Sequence, residues 1–260
     1  MKLSITRNPM TDEKKPVPRL VTEDSRTIKI EPHAEYPLVL DHNLVMAAES
    51  FGVLRSRVLS VHNNHHLQLF VITSAGAGEG KTLTAVNLAL SLGQLGRKRV
   101  ALVDGDLRAS RATSVLRLQG KPGLADYLLE RASFAQCMHP TAFPSLWVIP
   151  AGDVPEKSLP EILEGPRLKE FRDEVKQNLD IVVVDSLPVG APVADLELLL
   201  SVCDAYLFVV RLHTTSRESL AFAHERLDRS KLLGLVVNNA DEVHPYNYHY
   251  YYYGSSRKQK

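Results

Sequence analysis

The run Thr73-Ser74-Ala75-Gly76-Ala77-Gly78-Glu79-Gly80-Lys81-Thr82 has the residue types and spacing of a phosphate-binding loop. Its glycines let backbone N–H groups turn inward around phosphate oxygens, and a helix starting where the loop ends aims its positive dipole end at them. Lys81 would reach the β- and γ-phosphates of a nucleotide, and Thr82 would place its hydroxyl on Mg²⁺. Gly76, Gly78, Glu79 and Gly80 complete the candidate nucleotide contacts. The strict pattern G-x-x-x-x-G-K-[ST] asks for glycine where Ala75 stands. Two further runs end in carboxylates. In Val100-Ala101-Leu102-Val103-Asp104-Gly105-Asp106-Leu107-Arg108, Asp104 and Asp106 suit a general base for a hydroxyl nucleophile and a partner for metal or water, in that order. The same Asp-Gly-Asp also reads as a plain turn. In Ile181-Val182-Val183-Val184-Asp185, Asp185 fits a residue that holds Mg²⁺ directly or through water. Three carboxylates around one Mg²⁺-nucleotide are reasonable, because the cation offsets their repulsion.

These residues need elements that bring them together. Six short β-like runs are visible: 67–72, 99–103, 146–149, 181–184, 205–212 and 232–237. Most are continuously apolar rather than alternating, which favours strands covered on both faces. Helical patterns lie between most of them, over 82–95, 160–177, 192–202 and 216–230, with Pro192 suited to a first helical turn. A further stripe, Leu44, Ala47, Ala48, Phe51, Leu54 and Val58, predicts a helix over 43–61. The βαβα alternation predicts an α/β, doubly wound, mostly parallel sheet with helices on both faces. Ligands of such sheets sit beyond the carboxyl ends of the strands, where the loop and the acidic pairs lie. Asn238, at the end of the last run, is a candidate adenine contact.

The 260 residues are 44 % hydrophobic, enough for one sizeable core. A net charge of +1 excludes a global field that recruits nucleic acid. Cys137 and Cys203 read as reduced core thiols, and His62, His65 and His66 as loop histidines. No apolar run is long enough to span a bilayer, and no signal peptide is visible, so a cytoplasmic protein is expected, peripheral to the membrane only through a partner. Residues 1–40 are rich in proline and charge and read as a disordered arm, followed by a domain over 41–242.

Residues 243–260 read as a flexible tail. Six of the nine tyrosines, Tyr246, Tyr248, Tyr250, Tyr251, Tyr252 and Tyr253, fall within it, before a basic Arg257-Lys258-Gln259-Lys260 end. A tyrosine cluster on a mobile tail, beside a nucleotide site with candidate bases, suggests phosphate acceptors.

At this point the residues resemble a known family. The loop 73–82, Val103–Arg108, Gly123–Leu128, Trp147–Gly152, Asp180–Asp185, Pro192–Asp195 and the tyrosine-rich end together resemble the bacterial tyrosine autokinases, over about residues 44–260. The resemblance implies a P-loop ATPase fold related to partitioning proteins, with ATP and Mg²⁺ as cofactors and tail tyrosines phosphorylated between subunits of a homo-oligomer. It also implies a role in capsule or exopolysaccharide synthesis and export, a transmembrane co-polymerase as activator, and a tyrosine phosphatase as antagonist. Two positions depart from the family pattern. Leu187 stands in Asp185-Ser186-Leu187-Pro188 where a proline is usual, which predicts a looser loop. Gly52 replaces the middle arginine of the oligomerising helix, between Glu49 and Arg55. Two other readings compete. One is a ParA/MinD-like switch, which would carry a lysine early in the loop, where this chain has Gly76. The other is a catalytically weak, ATP-bound regulatory subunit.

Overall fold

Seven strands form one sheet in the order β3-β4-β2-β5-β1-β6-β7 in the computed structural model, which describes residues 27–30, 36–41, 43–155, 159–191 and 194–240. They are β1 (Leu69–Ser74), β2 (Val100–Asp104), β3 (His139–Pro140), β4 (Leu146–Ile149), β5 (Ile181–Asp185), β6 (Ala205–Arg211) and β7 (Leu232–Asn238). All pairings are parallel except the short β3–β4 edge. Every residue of β1, β2 and β5 is buried. Their side chains alternate between two cores, as a period of two requires. Leu69, Val71, Val182 and Val184 enter one core; Phe70, Ile72, Ile181 and Val183 enter the other.

The helices are α1 (Val45–His65), α2 (Lys81–Gly93), α3 (Arg111–Val115), α4 (Leu124–Leu128), α5 (Phe134–Cys137), α6 (Leu159–Glu164), α7 (Arg167–Asn178), α8 (Asp195–Val202) and α9 (Arg217–Arg226). Helices α1, α2 and α3 cover one face, and α4 to α9 the other. This is the doubly wound, mostly parallel α/β fold that the alternation of elements predicts. Because β2, β5 and β1 are adjacent and parallel, the loops after them open at one end of the sheet. Register pairs Asp104 directly with Asp185, and Asp185 with Ile72 just before the glycine loop.

Several elements differ from the sequence pattern. The helix expected over 160–177 is two, α6 and α7, broken at Gly165-Pro166 because proline lacks the N–H to continue the ladder. Helix α9 stops at Arg226, and Asp228 then caps a single 3-10 turn. Helix α1 runs on to His65 and is closed by His66 in the left-handed region, φ 55°. His62 and His65 are therefore helical rather than in the loop. His62 is buried, with Nδ1 on the Leu67 carbonyl and Nε2 near Lys98 Nζ. Both cysteines are free and buried. Helices α3, α4 and α5 were not expected from the pattern. Pro192 and residues 241–260, including all six tail tyrosines, lie outside the described residues.

Parts of the stretch read as a disordered arm belong to the folded unit. Ile28 bridges Thr141 and is buried, and Leu38 is buried in the core beside α2. Asn87 of α2 holds the second segment at both ends: its Oδ1 accepts from the Val39 N–H at 2.8 Å and its Nδ2 donates to the Pro37 carbonyl at 3.0 Å. Among the described residues no helix is long and apolar enough to cross a membrane.

Candidate active site

The glycine loop joins β1 to α2, and two of its residues, Gly78 at φ 79° and Gly80 at φ 99°, occupy the left-handed region that favours glycine. A Cβ on Gly80 would also fall 2.0 Å from Asn238 Nδ2. The loop is tied to its neighbours on several sides. Glu79 is buried; its Oε2 accepts from the Gly76 N–H at 3.0 Å and its Oε1 from the Thr215 hydroxyl at 2.6 Å. Asn238 Nδ2 donates to the Glu79 carbonyl at 3.0 Å, and Arg211 Nη1 to the Gly78 carbonyl at 3.0 Å. Thus the Glu79 carboxylate and the Asn238 amide hold the loop in shape. The ends of β6 and β7 supply the latch.

Lys81 opens α2 with only 4 % of its surface exposed, and its Nζ lies 4.0 Å from Asp106 Oδ2. Asp106 also accepts from the Ala109 N–H at 3.1 Å. Asp104 is wholly buried. Its Oδ2 accepts from both the N–H and the hydroxyl of Thr113, each at 2.7 Å, while Oδ1 has no partner. Thr113 is in turn fixed by the Ala151 N–H, 2.8 Å from its Oγ1. Burial pushes the Asp104 carboxyl up to about 6 against the pull of these two bonds. Asp185 is also wholly buried, and neither of its oxygens has a partner within ordinary hydrogen-bond geometry. Its carboxyl is raised to about 8, first by burial and then by the charge of Asp104, with Lys81 and the Thr82 hydroxyl pulling the other way. Thr82 is half-buried on the first turn of α2.

The structure therefore brings Lys81, Thr82, Asp104, Asp106 and Asp185 to one end of the sheet. Three orphaned carboxylate oxygens in a buried site call for a cation or a proton. The donors are all hard oxygens, which suits Mg²⁺. No cluster of three His, Cys, Asp or Glu side chains forms a ready metal cage among the described residues. This fits a metal held by one or two carboxylates, a hydroxyl and substrate phosphates, as Mg²⁺ usually is.

The segment after β5 is not loosened by Leu187. Its side chain is buried, its carbonyl accepts from the Thr73 hydroxyl at 2.8 Å, and the Val189 N–H donates to the Ser74 carbonyl at 2.8 Å. Arg55 of α1 donates to the carbonyl and hydroxyl of Ser91 in its own chain, both at 3.0 Å. Sequence reasoning missed Thr113, Thr215 and Arg211, and no motif flags them. It also missed the pair in which Arg108 grips the buried Asp195 through Nε at 2.7 Å and Nη2 at 3.2 Å. Both members of that pair stand inside the quoted motifs.

The raised carboxyls carry a consequence for stability. A carboxylic acid whose pKa is higher folded than unfolded binds more protons in the native state, so its contribution is present below about pH 4 and is lost as pH rises to its folded value. For Asp185 that window runs from about 4 to about 8. Without nucleotide or divalent cation, the melting temperature should fall between pH 5 and 8. Asp185→Asn should flatten the slope and Mg²⁺-nucleotide should offset it. Thermal melts across this range check it; a wild-type melting temperature independent of pH would rule it out.

Comparison with known proteins is consistent with this geometry. The family described as AAA domain matches residues 68–230. The chain is 32 % identical to the tyrosine-protein kinase YwqD of Bacillus subtilis, over 78 % of this chain and 86 % of that protein. It is 30 % identical to the tyrosine-protein kinase CpsD of Streptococcus agalactiae, over 75 % and 84 %. Among solved structures, the chimerical protein CapA2B2 superposes with a TM-score of 0.70 at 25 % identity, covering 81 % of this chain and 92 % of that one. MinD of Pyrococcus horikoshii, complexed with Mg-ADP, shares the fold at a TM-score of 0.53 and 22 % identity, covering 65 % and 68 %.

Proposed function

The chain belongs to the bacterial tyrosine-protein kinases, built on the AAA domain, and from that premise we propose that it uses ATP to phosphorylate the tyrosine cluster 246–253 of a neighbouring copy of itself. The observation that carries this is the convergence of Lys81, Asp104, Asp106 and Asp185 beneath the glycine loop. The loop's N–H groups and Lys81 hold the β- and γ-phosphates. A tail phenol attacks the γ-phosphorus and Asp104 takes its proton. The bond to the bridging oxygen breaks and ADP leaves. Mg²⁺ held by Thr82, Asp106 and Asp185 would supply positive charge to the phosphate oxygens. A carboxyl lifted to about 6 is still ionised at neutral pH and is a stronger base than an ordinary aspartate.

Burial narrows the acceptors. Tyr127 and Tyr206 are 3 % and 2 % exposed, with Tyr127 packed edge-on against Phe134 and Phe171. Neither reaches another subunit's site without unfolding. The family premise further supports a role in polysaccharide synthesis and export. On that reading a transmembrane co-polymerase activates the kinase at the inner face of the membrane, and a tyrosine phosphatase resets it.

Deleting residues 246–253 should lower self-phosphorylation by roughly tenfold or more, with nucleotide affinity unchanged. The shortened chain, given Mg²⁺ and labelled ATP, should still phosphorylate a Lys81→Met chain, because that chain keeps its own acceptor tyrosines and transfer runs between subunits. Phosphotyrosine mapped by mass spectrometry only to positions outside the tail would overturn the assignment.

A further inference from the structure

Strand β7 forms one edge of the sheet, and nothing among the described residues pairs with its outer side. Leu235 is 62 % exposed and Val237 53 %. Register places them beside Phe208 and Val210, so both face the α9 side of the sheet. There a cavity of about 390 Å³ opens between α9 and the two outer strands, lined by Tyr206, Phe208, Leu220, Leu227, Leu232 and Leu235. Phe222 of α9 is also exposed. A long open edge beside an apolar groove is a template for an added strand.

We propose that this edge is the storage site of the chain's own unphosphorylated segment 246–253, added antiparallel to β7 with tyrosine rings in the α9 groove. The chain leaves β7 at Asn238 on the edge itself, and Asn239 adopts φ 58°, a conformation suited to reversing direction. Residues 239–245 are long enough for the turn. Pro245 lacks an N–H, so a ladder would begin after it. Tyr246–Tyr253 spans about 27 Å as a strand, against about 24 Å for the seven residues of β7. Tyrosine is among the best strand formers, and a period of two puts Tyr246, Tyr248, Tyr250 and Tyr252 on one face. Phenol rings suit a groove that is apolar within and wet at its rim. The same chain is the favoured occupant, because a short linker gives the tail an effective concentration of about millimolar.

The consequence rests on the tail being the phosphate acceptor. A stored tail hides its hydroxyls from a neighbouring site. Each phosphate adds about −1.5 to −2 charges, which a mostly apolar groove buries at high cost, and two polar side chains that line it, His224 and Arg229, are already bonded to each other at 3.2 Å. The edge therefore holds the unmodified tail and rejects the modified one.

Hydrogen exchange read by mass spectrometry tests this in the inactive Lys81→Met chain, with and without residues 246–253. Amides of Leu232–Asn238 should exchange about tenfold more slowly when the tail is present. Leu235→Lys, at an exposed position, should restore fast exchange with the tail intact. Active chain phosphorylated on the tail should also exchange fast. Equal exchange with and without the tail would overturn the proposal. So would protection that grows with protein concentration, the mark of a second copy, or slow exchange in the phosphorylated chain. The docking arms need no catalysis, so their failure leaves the kinase reading standing. An absence of phosphotyrosine in the active chain, conversely, leaves the docking result intact.

Discussion

Lys81→Met should abolish self-phosphorylation, a loss of about 10³-fold or more, in a protein that remains folded. The lysine head is buried, with Asp106 4.0 Å away. It is the positive charge set among Asp104, Asp106 and Asp185, and among the described residues no other lysine or arginine lies within salt-bridge distance of them, although Arg108 is near enough to feel the charge of Asp106. Methionine keeps the side chain's length and removes the charge. The developing charge on the transferred phosphoryl group then loses the counter-charge that the protein itself supplies. Nucleotide binding should weaken along with transfer, as titration with a fluorescent ATP analogue would show. A folded mutant, judged by circular dichroism, that keeps its phosphotyrosine would remove Lys81 from the mechanism.

Asp104→Asn should depress phosphoryl transfer by about 10²- to 10⁴-fold while leaving ATP affinity near its wild-type value. The asparagine can keep the Thr113 contacts through its carbonyl, so the site's shape survives while the base does not. Asp106→Ala should also slow transfer, but with weaker nucleotide binding, because it strips Lys81 of its partner. Single-turnover rates and ATP affinities measured on the two variants separate these roles. Wild-type transfer rates in both would reduce Asp104-Gly105-Asp106 to a turn.

The strands that carry this chemistry were legible because they are buried on both faces, and continuous apolar runs such as Ile181–Val184 have few other solutions. The convergence of Lys81, Asp104 and Asp185 was legible for the same reason. Parallel neighbouring strands with acidic ends must open together. What stayed hidden depends on tertiary contact rather than period. The short helices α3, α4 and α5 run four or five residues, too short to show a helical repeat. Ile28 and Leu38 sit among prolines and charges, and only the surface left open beside α2 and Thr141 shows why they are buried. Glu79 and Asn238 matched the loop motif and the strand end by position. Their hydrogen bonds, which point into the loop, depend on β6 pairing with β1 and on β7 lying one strand beyond it.

The bond from Asn238 to the Glu79 carbonyl joins the last residue of an open sheet edge to the loop that would grip the nucleotide. Two binding events that share such a joint are thermodynamically linked. If a strand seated along β7 changes the affinity for nucleotide by some factor, nucleotide must change the affinity for that strand by the same factor. Exchange of ADP for ATP and occupancy of the edge then become two readings of one equilibrium, whichever of them the cell controls.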